Sequence, residues 1–243
     1  MNNELLLNIA GIYLKLHLVN PLTSIYFQSF IYKDQFPHNI QSIPAVDKTL
    51  LKEEAVRLRN SSYAEYSLLF ESAANMVLPL NRFFFHGAAF IWRGSAYIFA
   101  GKSGIGKTTQ LFHWLNLFPE EIEIINGDKP IIEVKNDKFI VHPSPWGGKE
   151  GFNGSKSAEL RGIILLEQGT IDQINVLSIK DTVFPLFLQF LFKPDDIQTI
   201  NRICNYEEKL LSTVPVWTLI NRGTEESALL THSFLVQEVF DEI

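Results

Sequence analysis

The segment GKSGIGKTT, from Gly101 to Thr109, constrains the fold of this chain more than any other feature. It fits the pattern G-x-x-x-x-G-K-[ST], in which glycines let successive backbone N–H groups turn inward toward an anion. The apolar run YIFA precedes the segment, and a helix-like stretch follows it. A strand, a glycine-rich loop and a helix N-terminus in this order form a cradle for phosphate groups. The sequence therefore predicts an α/β protein with a phosphate-binding loop.

Within this loop, two side chains have distinct expected contacts. Lys107 supplies a compact cation for the β- and γ-phosphates of a nucleotide, and the hydroxyl of Thr108 is a ligand for Mg²⁺. The predicted cofactors are therefore ATP, or another nucleoside triphosphate, and Mg²⁺. The alternative is an ordinary glycine-rich turn between two elements. We expect the remaining phosphate contacts from Gly101, Ser103, Gly104, Ile105, Gly106 and Thr109.

Composition excludes several other classes of protein. The 243 residues are 46% hydrophobic, which is ordinary for a globular chain with a core. The net charge is −6 and the basic residues are scattered, so neither nucleic acid nor an anionic membrane is an expected partner. No apolar run reaches the roughly 18 residues of a membrane-spanning helix, and no basic region precedes the first apolar stretch, so we expect a cytoplasmic protein.

Two residue types carry weaker signals. Cys204 is the only cysteine, which excludes an intrachain disulfide; no motif surrounds it, and a buried apolar filler is a better interpretation than a catalytic thiol. The 19 phenylalanines indicate either an aromatic core or an interface, and the latter would make the protein a homo-oligomer.

The chain is predicted to divide near residue 80. Residues 1–80 read as a small N-terminal unit, with strand-like stretches at Leu5–Val19 and Ser24–Tyr32, a loop at Asp34–Asp47 and a helix at Tyr63–Leu80. Residues 81–243 read as the catalytic domain. Its predicted strands are Phe83–Trp92, Ser95–Ala100, Ile122–Asn126, Ile131–Val134, Phe139–Val141, Arg161–Leu166 and Val214–Ile220, and its predicted helices are Lys107–Phe118, Thr182–Phe192, Ile197–Leu211 and one from Glu225.

Several segments together resemble a known superfamily. FFFHGAAF, AYIFAGKSGIGKTT and IINGDKPII are similar to the core of the HPr kinase/phosphorylase and ATP-dependent phosphoenolpyruvate carboxykinase superfamily. VHPSPWGGKEGF and LRGIILLEQG resemble its small HPr-kinase-related members, some of which phosphorylate a serine of peptide precursors such as those of lasso peptides. The resemblance implies a phosphoenolpyruvate-carboxykinase-like P-loop core with a mixed sheet, plus a small N-terminal α+β unit. It also implies Mg-dependent transfer of the γ-phosphate of ATP to a serine or threonine hydroxyl of a peptide or small protein.

The resemblance also assigns roles to residues outside the loop. Asp128 would be the catalytic carboxylate, with His86 beside it. The relatives usually carry two adjacent aspartates, whereas this chain has Gly127-Asp128. If the missing aspartate is the one that binds magnesium, the metal must rest on Thr108 and the phosphates, together with Asp128 itself or Glu167.

The glycine-rich stretch PSPWGGKEGF, from Pro143 to Phe152, reads as a loop that closes over phosphates, with Trp146 as an anchor. Its single cation, Lys149, would bind the transferring phosphate or the acceptor. The alternative is an ordinary surface loop with Trp146 packed inward.

Other interpretations remain open at the level of sequence. Asn-Gly at 126–127 is typical of a hairpin turn, which would make Asp128 structural. His86 could be a core histidine, and Glu167 the polar start of a turn. The acceptor could be a small molecule, or the protein could be a nucleotide-binding regulator or scaffold with weak hydrolysis. The chain lacks the N-K-x-D motif of guanine-binding switches and the longer signature linked to phosphorylase activity, so kinase action alone is expected.

Overall fold

The computed structural model describes residues 3–34, 37–148 and 150–241, and the protein is a mixed α/β structure with two sheets. The first part of the chain forms a three-stranded sheet in which β1 pairs with β2 antiparallel and β2 with β3 parallel. Its elements are β1 (Glu4–Ile9), β2 (Ile12–His17), a 3₁₀ helix (Pro21–Phe30), β3 (Ile40–Ile43), α1 (Lys48–Leu58), α2 (Ser61–Met76) and a short 3₁₀ turn (Leu78–Leu80).

Two expectations for this part were wrong, and one helix was not predicted. The stretch predicted as a strand at Ser24–Tyr32 belongs mostly to the 3₁₀ helix, because Asn20 caps the backbone N–H of Leu22 and Pro21 occupies the first helical position. The predicted loop at 34–47 contains β3. Helix α1 was not predicted, because Leu51 is its one buried residue and the sequence has almost no apolar stripe.

The larger sheet has ten strands and is mixed. One path runs β12-β4-β8-β9-β10-β6-β5-β7, while β13 and then β11 continue from β10. Strand β10 is parallel to both β6 and β13, and the other pairings are antiparallel. The strands are β4 (Arg82–Phe85), β5 (Gly87–Trp92), β6 (Ser95–Ala100), β7 (Ile122–Asn126), β8 (Ile131–Lys135), β9 (Lys138–His142), β10 (Ala158–Gln168), β11 (Gln173–Val176), β12 (Phe190–Leu191) and β13 (Val216–Asn221).

Helices lie on the faces of this sheet. One core cluster joins the sheet to α3 and α6 through Phe90, Phe99, Trp114, Leu219 and Leu235. A second cluster includes Phe83, Ile98, Leu165, Leu186 and Leu210, the last two from α4 and α5. The helices are α3 (Lys107–Leu117), α4 (Ile179–Phe187), α5 (Ile197–Thr213) and α6 (Glu225–Asp241). Within the described residues, no helix combines the length and apolar character that crossing a membrane requires.

Predictions for the second part were closer. Strands β6 and β7 have the predicted bounds, and α6 begins at Glu225 as expected. The strand predicted over Phe83–Trp92 breaks at His86 into β4 and β5, and the helix predicted to reach Phe192 stops at Phe187.

Two structural interpretations from the sequence were also wrong. The hairpin at Asn126-Gly127 does not exist, because β7 pairs with β5 whereas β8 pairs with β4 and β9. Cys204 is exposed rather than buried, because it lies on the outer face of α5, whose inner face carries Ile203 and Leu210.

The core of the first part is shared with the second. Leu14, Leu69 and Ala73 belong to the same buried cluster as Phe84, Ile131 and Trp146. A buried carboxylate adds a polar anchor: Glu65 of α2 accepts hydrogen bonds from the backbone N–H groups of Val19 and Asn20 and from the hydroxyl of Thr23. This carboxylate therefore fastens the segment after β2 to α2.

Replacing Glu65 should destabilise the protein strongly. Glu65→Ala leaves two backbone donors and one hydroxyl without a partner, and each buried unsatisfied donor costs about 1–3 kcal/mol. We expect a loss of about 3 kcal/mol or more in the free energy of unfolding, measured by urea denaturation. Glu71→Ala, at an exposed position of the same helix, should change it by less than about 0.5 kcal/mol. Equal stability of the two variants would show that the Glu65 anchor is unimportant.

Candidate functional site

The predicted strand, loop and helix around residues 101–109 are present. Strand β6 ends at Ala100 and α3 begins at Lys107, with a tight loop between them. Gly101 and Gly106 have φ values of +135° and +109°, in the region that favours glycine. A Cβ at Gly101 would also lie 3.2 Å from the backbone oxygen of Leu166 in the neighbouring strand. Ile105 is buried beneath the loop, so its side chain fixes the loop to the sheet.

Lys107 is almost completely buried, with 7% of its surface exposed. Its Nζ donates to the backbone oxygens of Gly101, at 2.9 Å, and Lys102, at 3.2 Å. Burial lowers the pKa of Lys107 to about 8; the positive charge of Lys129 adds to this effect, and the negative charge of Asp128 opposes it. The two backbone oxygens thus stabilise the ammonium of Lys107 only partly, because its burial disfavours the charged form.

A cavity of about 430 Å³ opens beside the loop. It is lined by one face of the loop and by residues from four other parts of the chain, which contribute Tyr63, His86, Asp128 and Glu150. The structure therefore brings together groups that lie far apart in the sequence, in a space large enough for a small ligand. The loop residues that line it are Ser103, Gly104, Gly106, Lys107, Thr108 and Thr109.

The backbone of Asp128 is held by a buried amide. Asn126, at the end of β7, accepts hydrogen bonds through Oδ1 from the N–H groups of Asp128, at 2.9 Å, and Lys129, at 2.7 Å. Its Nδ2 donates to the backbone oxygen of Ser144, at 3.0 Å. On the other side, the N–H of Gly87 donates to the backbone oxygen of Asp128. These bonds fix the direction in which the Asp128 side chain leaves the sheet.

The carboxylate of Asp128 lies between a cation and an imidazole. Its Oδ2 pairs with Nζ of Lys129, and its Oδ1 lies 3.6 Å from Nε2 of His86. The latter distance is longer than a hydrogen bond. Burial lowers the pKa of His86 to about 4, the charges of Lys107 and Lys129 contribute, and Asp128 opposes them. His86 is therefore a neutral imidazole at neutral pH.

His86 is positioned by the break in the sheet between β4 and β5. Its backbone N–H donates to the backbone oxygen of Gln189, at 2.7 Å, and the side-chain Oε1 of Gln189 accepts from the N–H of Gly101, at 3.2 Å. Gln189 thus connects the His86 backbone to the start of the phosphate loop. No sequence motif marked this glutamine.

Other predicted site residues lie elsewhere. Glu167 lines a second cavity, of about 720 Å³, together with Gly101 and Lys102 of the loop and apolar residues of α4. The structure does not place it with Thr108 and Asp128. Lys149 lies outside the described residues. Among the described residues, no group of three or more His, Cys, Asp or Glu side chains could hold a metal by itself, so a metal here would also need the Thr108 hydroxyl or phosphate oxygens.

The segment from 143 to 148 is anchored rather than free. Trp146 is buried, and its Nε1 donates to the backbone oxygen of Tyr66, at 3.1 Å. The Tyr66 hydroxyl donates in return to the backbone oxygen of Pro145, at 3.0 Å. Trp146 therefore packs inward, as in the alternative of an ordinary surface loop, and closure of this segment over phosphates stays a prediction.

Sequence reasoning missed two residues that line the first cavity. Tyr63 comes from α2, far before the phosphate loop in the sequence, and no local signal indicates that it lines the same cavity as the loop. Glu150 lies within the recognised glycine-rich segment, next to Lys149, and its carboxylate could have been considered as a ligand.

Comparison with known proteins adds little. No family model matches this chain, and no curated protein matches it. Among solved structures, the HPr(Ser) kinase/phosphatase from Coxiella burnetii is similar to it with a TM-score of 0.37 and 8% sequence identity, over 65% of this chain and 97% of that one. A TM-score this low carries no functional conclusion.

Binding of a phosphate-bearing ligand such as a nucleotide beside Lys107 should take up a proton in alkaline solution. Because the pKa of Lys107 is about 8, the free protein carries mostly neutral Lys107 at about pH 9, and bound phosphate would raise this pKa and protonate the amine. We expect uptake approaching about one proton per nucleotide at about pH 9 and far less at about pH 6.5. Calorimetry in buffers of different ionisation enthalpy measures this uptake.

The control is Lys107→Arg, because a guanidinium stays charged throughout this pH range. Where this variant binds nucleotide, its binding at about pH 9 should proceed without the uptake. Equal uptake by wild type at both pH values would contradict the assignment to Lys107.

Proposed function

We propose that this protein is a kinase that transfers the γ-phosphoryl group of ATP to a serine or threonine hydroxyl of a peptide or small protein, with Mg²⁺. The observation that carries the proposal is the single cavity shared by the phosphate loop, the carboxylate of Asp128 and the neutral imidazole of His86. The loop would bind the phosphoryl donor and the carboxylate would accept a proton within this one space.

The donor would lie on the loop. The N–H groups at the start of α3 and the ammonium of Lys107 would bind its phosphates, and the Thr108 hydroxyl would be a ligand for Mg²⁺. The donor set fits a hard cation because it consists of oxygens. Bound Mg²⁺ would neutralise charge that develops on the phosphate oxygens.

The acceptor hydroxyl would approach from the side of Asp128. As its oxygen forms a bond to the γ-phosphorus, the bond from that phosphorus to the β,γ-bridging oxygen breaks, and the hydroxyl proton passes to the Asp128 carboxylate. Oδ1 is the suitable oxygen, because Oδ2 is paired with Lys129. Burial keeps the imidazole of His86 neutral next to it at neutral pH.

Two observations support a peptide or small protein as acceptor. The first is the sequence resemblance to small HPr-kinase-related proteins. The second is an exposed apolar surface at the end of α4, where Phe184 of the helix and Leu188, which caps it, are 68% and 57% exposed beside the cavity that shares Gly101 and Lys102 with the loop. A precursor of a lasso peptide is the narrowest form of this proposal and rests on the resemblance alone.

A second candidate is a nucleotide-binding regulator that hydrolyses slowly. The sequence resemblance implies a further aspartate at the position of Gly127, and the one carboxylate present there, Asp128, is paired with Lys129. A small-molecule kinase is the other alternative and differs only in the acceptor.

Asp128→Asn should separate binding from turnover. Because an amide cannot accept the hydroxyl proton, we expect phosphoryl transfer to fall by about a hundredfold to ten-thousandfold. Nucleotide affinity should stay within about threefold, because the loop is unchanged. The assay is transfer of label from γ-labelled ATP, with Mg²⁺, into a lysate of the source organism, beside nucleotide binding.

Two controls accompany this assay. Lys107→Ala should lose both binding and transfer, whereas Asp34→Asn, at an exposed position, should match wild type. A labelled peptide or small protein that disappears with Asp128→Asn supports the kinase. Release of free phosphate with no labelled product would favour the regulator, and a labelled metabolite would favour the small-molecule kinase.

A further inference from the structure

Glu150 lines the cavity beside the phosphate loop and lies in a tight turn. The N–H of Gly151 donates to the backbone oxygen of Gly148, and Gly148 has a φ of +81°. A Cβ at Gly148 would lie 3.0 Å from Cβ of Asp128 and 3.4 Å from Oε2 of Glu150. The side chains of Asp128 and Glu150 therefore flank the same point, and both line the cavity with Thr108.

The two carboxylates differ in their partners. Asp128 pairs with Lys129, whereas no lysine, arginine or histidine in the described ranges forms an ion pair with Glu150. Both charges act on Tyr63: after burial, the negative charge of Asp128 is the largest cause of its raised pKa, and that of Glu150 contributes as well. Among the described residues, the carboxylate of Glu150 is thus not paired with a cation.

The turn that carries Glu150 is joined to the segment that carries Asp128. Ser144 donates through Oγ to the backbone oxygen of Lys129, at 2.5 Å, and accepts through the same oxygen from the N–H of Trp146, at 3.2 Å. The N–H of Gly127 donates to the backbone oxygen of Phe152, at 2.8 Å. Hydrogen bonds before and after the turn therefore fix the position of the Glu150 segment relative to the Asp128 segment.

We propose that Glu150 supplies a carboxylate ligand for the Mg²⁺ that accompanies the nucleotide. The inference rests on the proposed function. Mg²⁺ is commonly held by one or two carboxylates plus substrate phosphates, and Thr108 and Glu150 offer oxygen ligands from two segments to one cavity. Glu167 does not share this cavity.

The test measures metal affinity directly. Mn²⁺ replaces Mg²⁺, and its dissociation constant is measured by electron paramagnetic resonance with the protein saturated by ADP. We expect Glu150→Gln to weaken Mn²⁺ binding by about tenfold or more, and Glu150→Asp to weaken it less. Glu167→Gln and the surface variant Glu120→Gln should both match wild type. Unchanged affinity in Glu150→Gln, or a loss in Glu167→Gln instead, overturns the proposal.

Nucleotide binding without metal separates this proposal from the one on which it rests. In EDTA, a fluorescent nucleotide should bind wild type and Glu150→Gln equally, because the loop and Lys107 are intact in both. Equal nucleotide binding together with equal Mn²⁺ affinity contradicts the role of Glu150 and leaves the kinase proposal standing. No nucleotide binding by wild type, with or without Mn²⁺, removes both proposals.

Discussion

The buried amide of Asn126 is the constraint on which the site depends. Its oxygen fixes the backbone of Asp128 and Lys129, and its nitrogen binds the segment that leads to Trp146. A fully buried amide must find partners for all its polar atoms, and here they come from two segments that secondary structure does not hold. One side chain therefore sets the position of both the Asp128 backbone and the segment that leads to Trp146.

The N-terminal part of the chain is a component of this site and not only a neighbour of it. Tyr63 lines the cavity, and Tyr66 exchanges hydrogen bonds with the segment around Trp146. Phe70 lies under Lys129, whose Nζ is 5.5 Å from the centre of its ring. Because α2 packs in the same core as Phe84 and Trp146, a shift of the first part would move groups beside Asp128. The division predicted near residue 80 stays a prediction about folding units, but the cavity crosses it.

The sequence predicted what local pattern determines. The phosphate loop is a contiguous motif, and its strand and helix have their expected places. The neighbours of Asp128 depend instead on sheet pairing. Strand β7 pairs with β5, whereas the next strand, β8, pairs with β4. The Asn-Gly dipeptide between them does not indicate this change of partner, because it is typical of a hairpin. Glu167 was chosen because it ends an apolar strand, yet the position of that strand end relative to the loop is a tertiary property. The two cavities could therefore not be distinguished from the sequence.

Electrostatics explain why the groups around Asp128 suit an anionic ligand. Lys107 and Lys129 both lower the pKa of His86, and Lys129 also lowers that of Lys107, so these positive charges repel one another in a partly buried space. The negative charge of Asp128 opposes these effects, because it raises the pKa of both His86 and Lys107. Phosphate oxygens on the loop would supply further negative charge and stabilise the charged form of Lys107. They would also attract Lys129 and so weaken its ion pair with Asp128. Ligand binding would thereby release the Asp128 carboxylate from Lys129 and make it available to an acceptor hydroxyl. The ion pair between Asp128 and Lys129 is therefore compatible with the proposed catalysis.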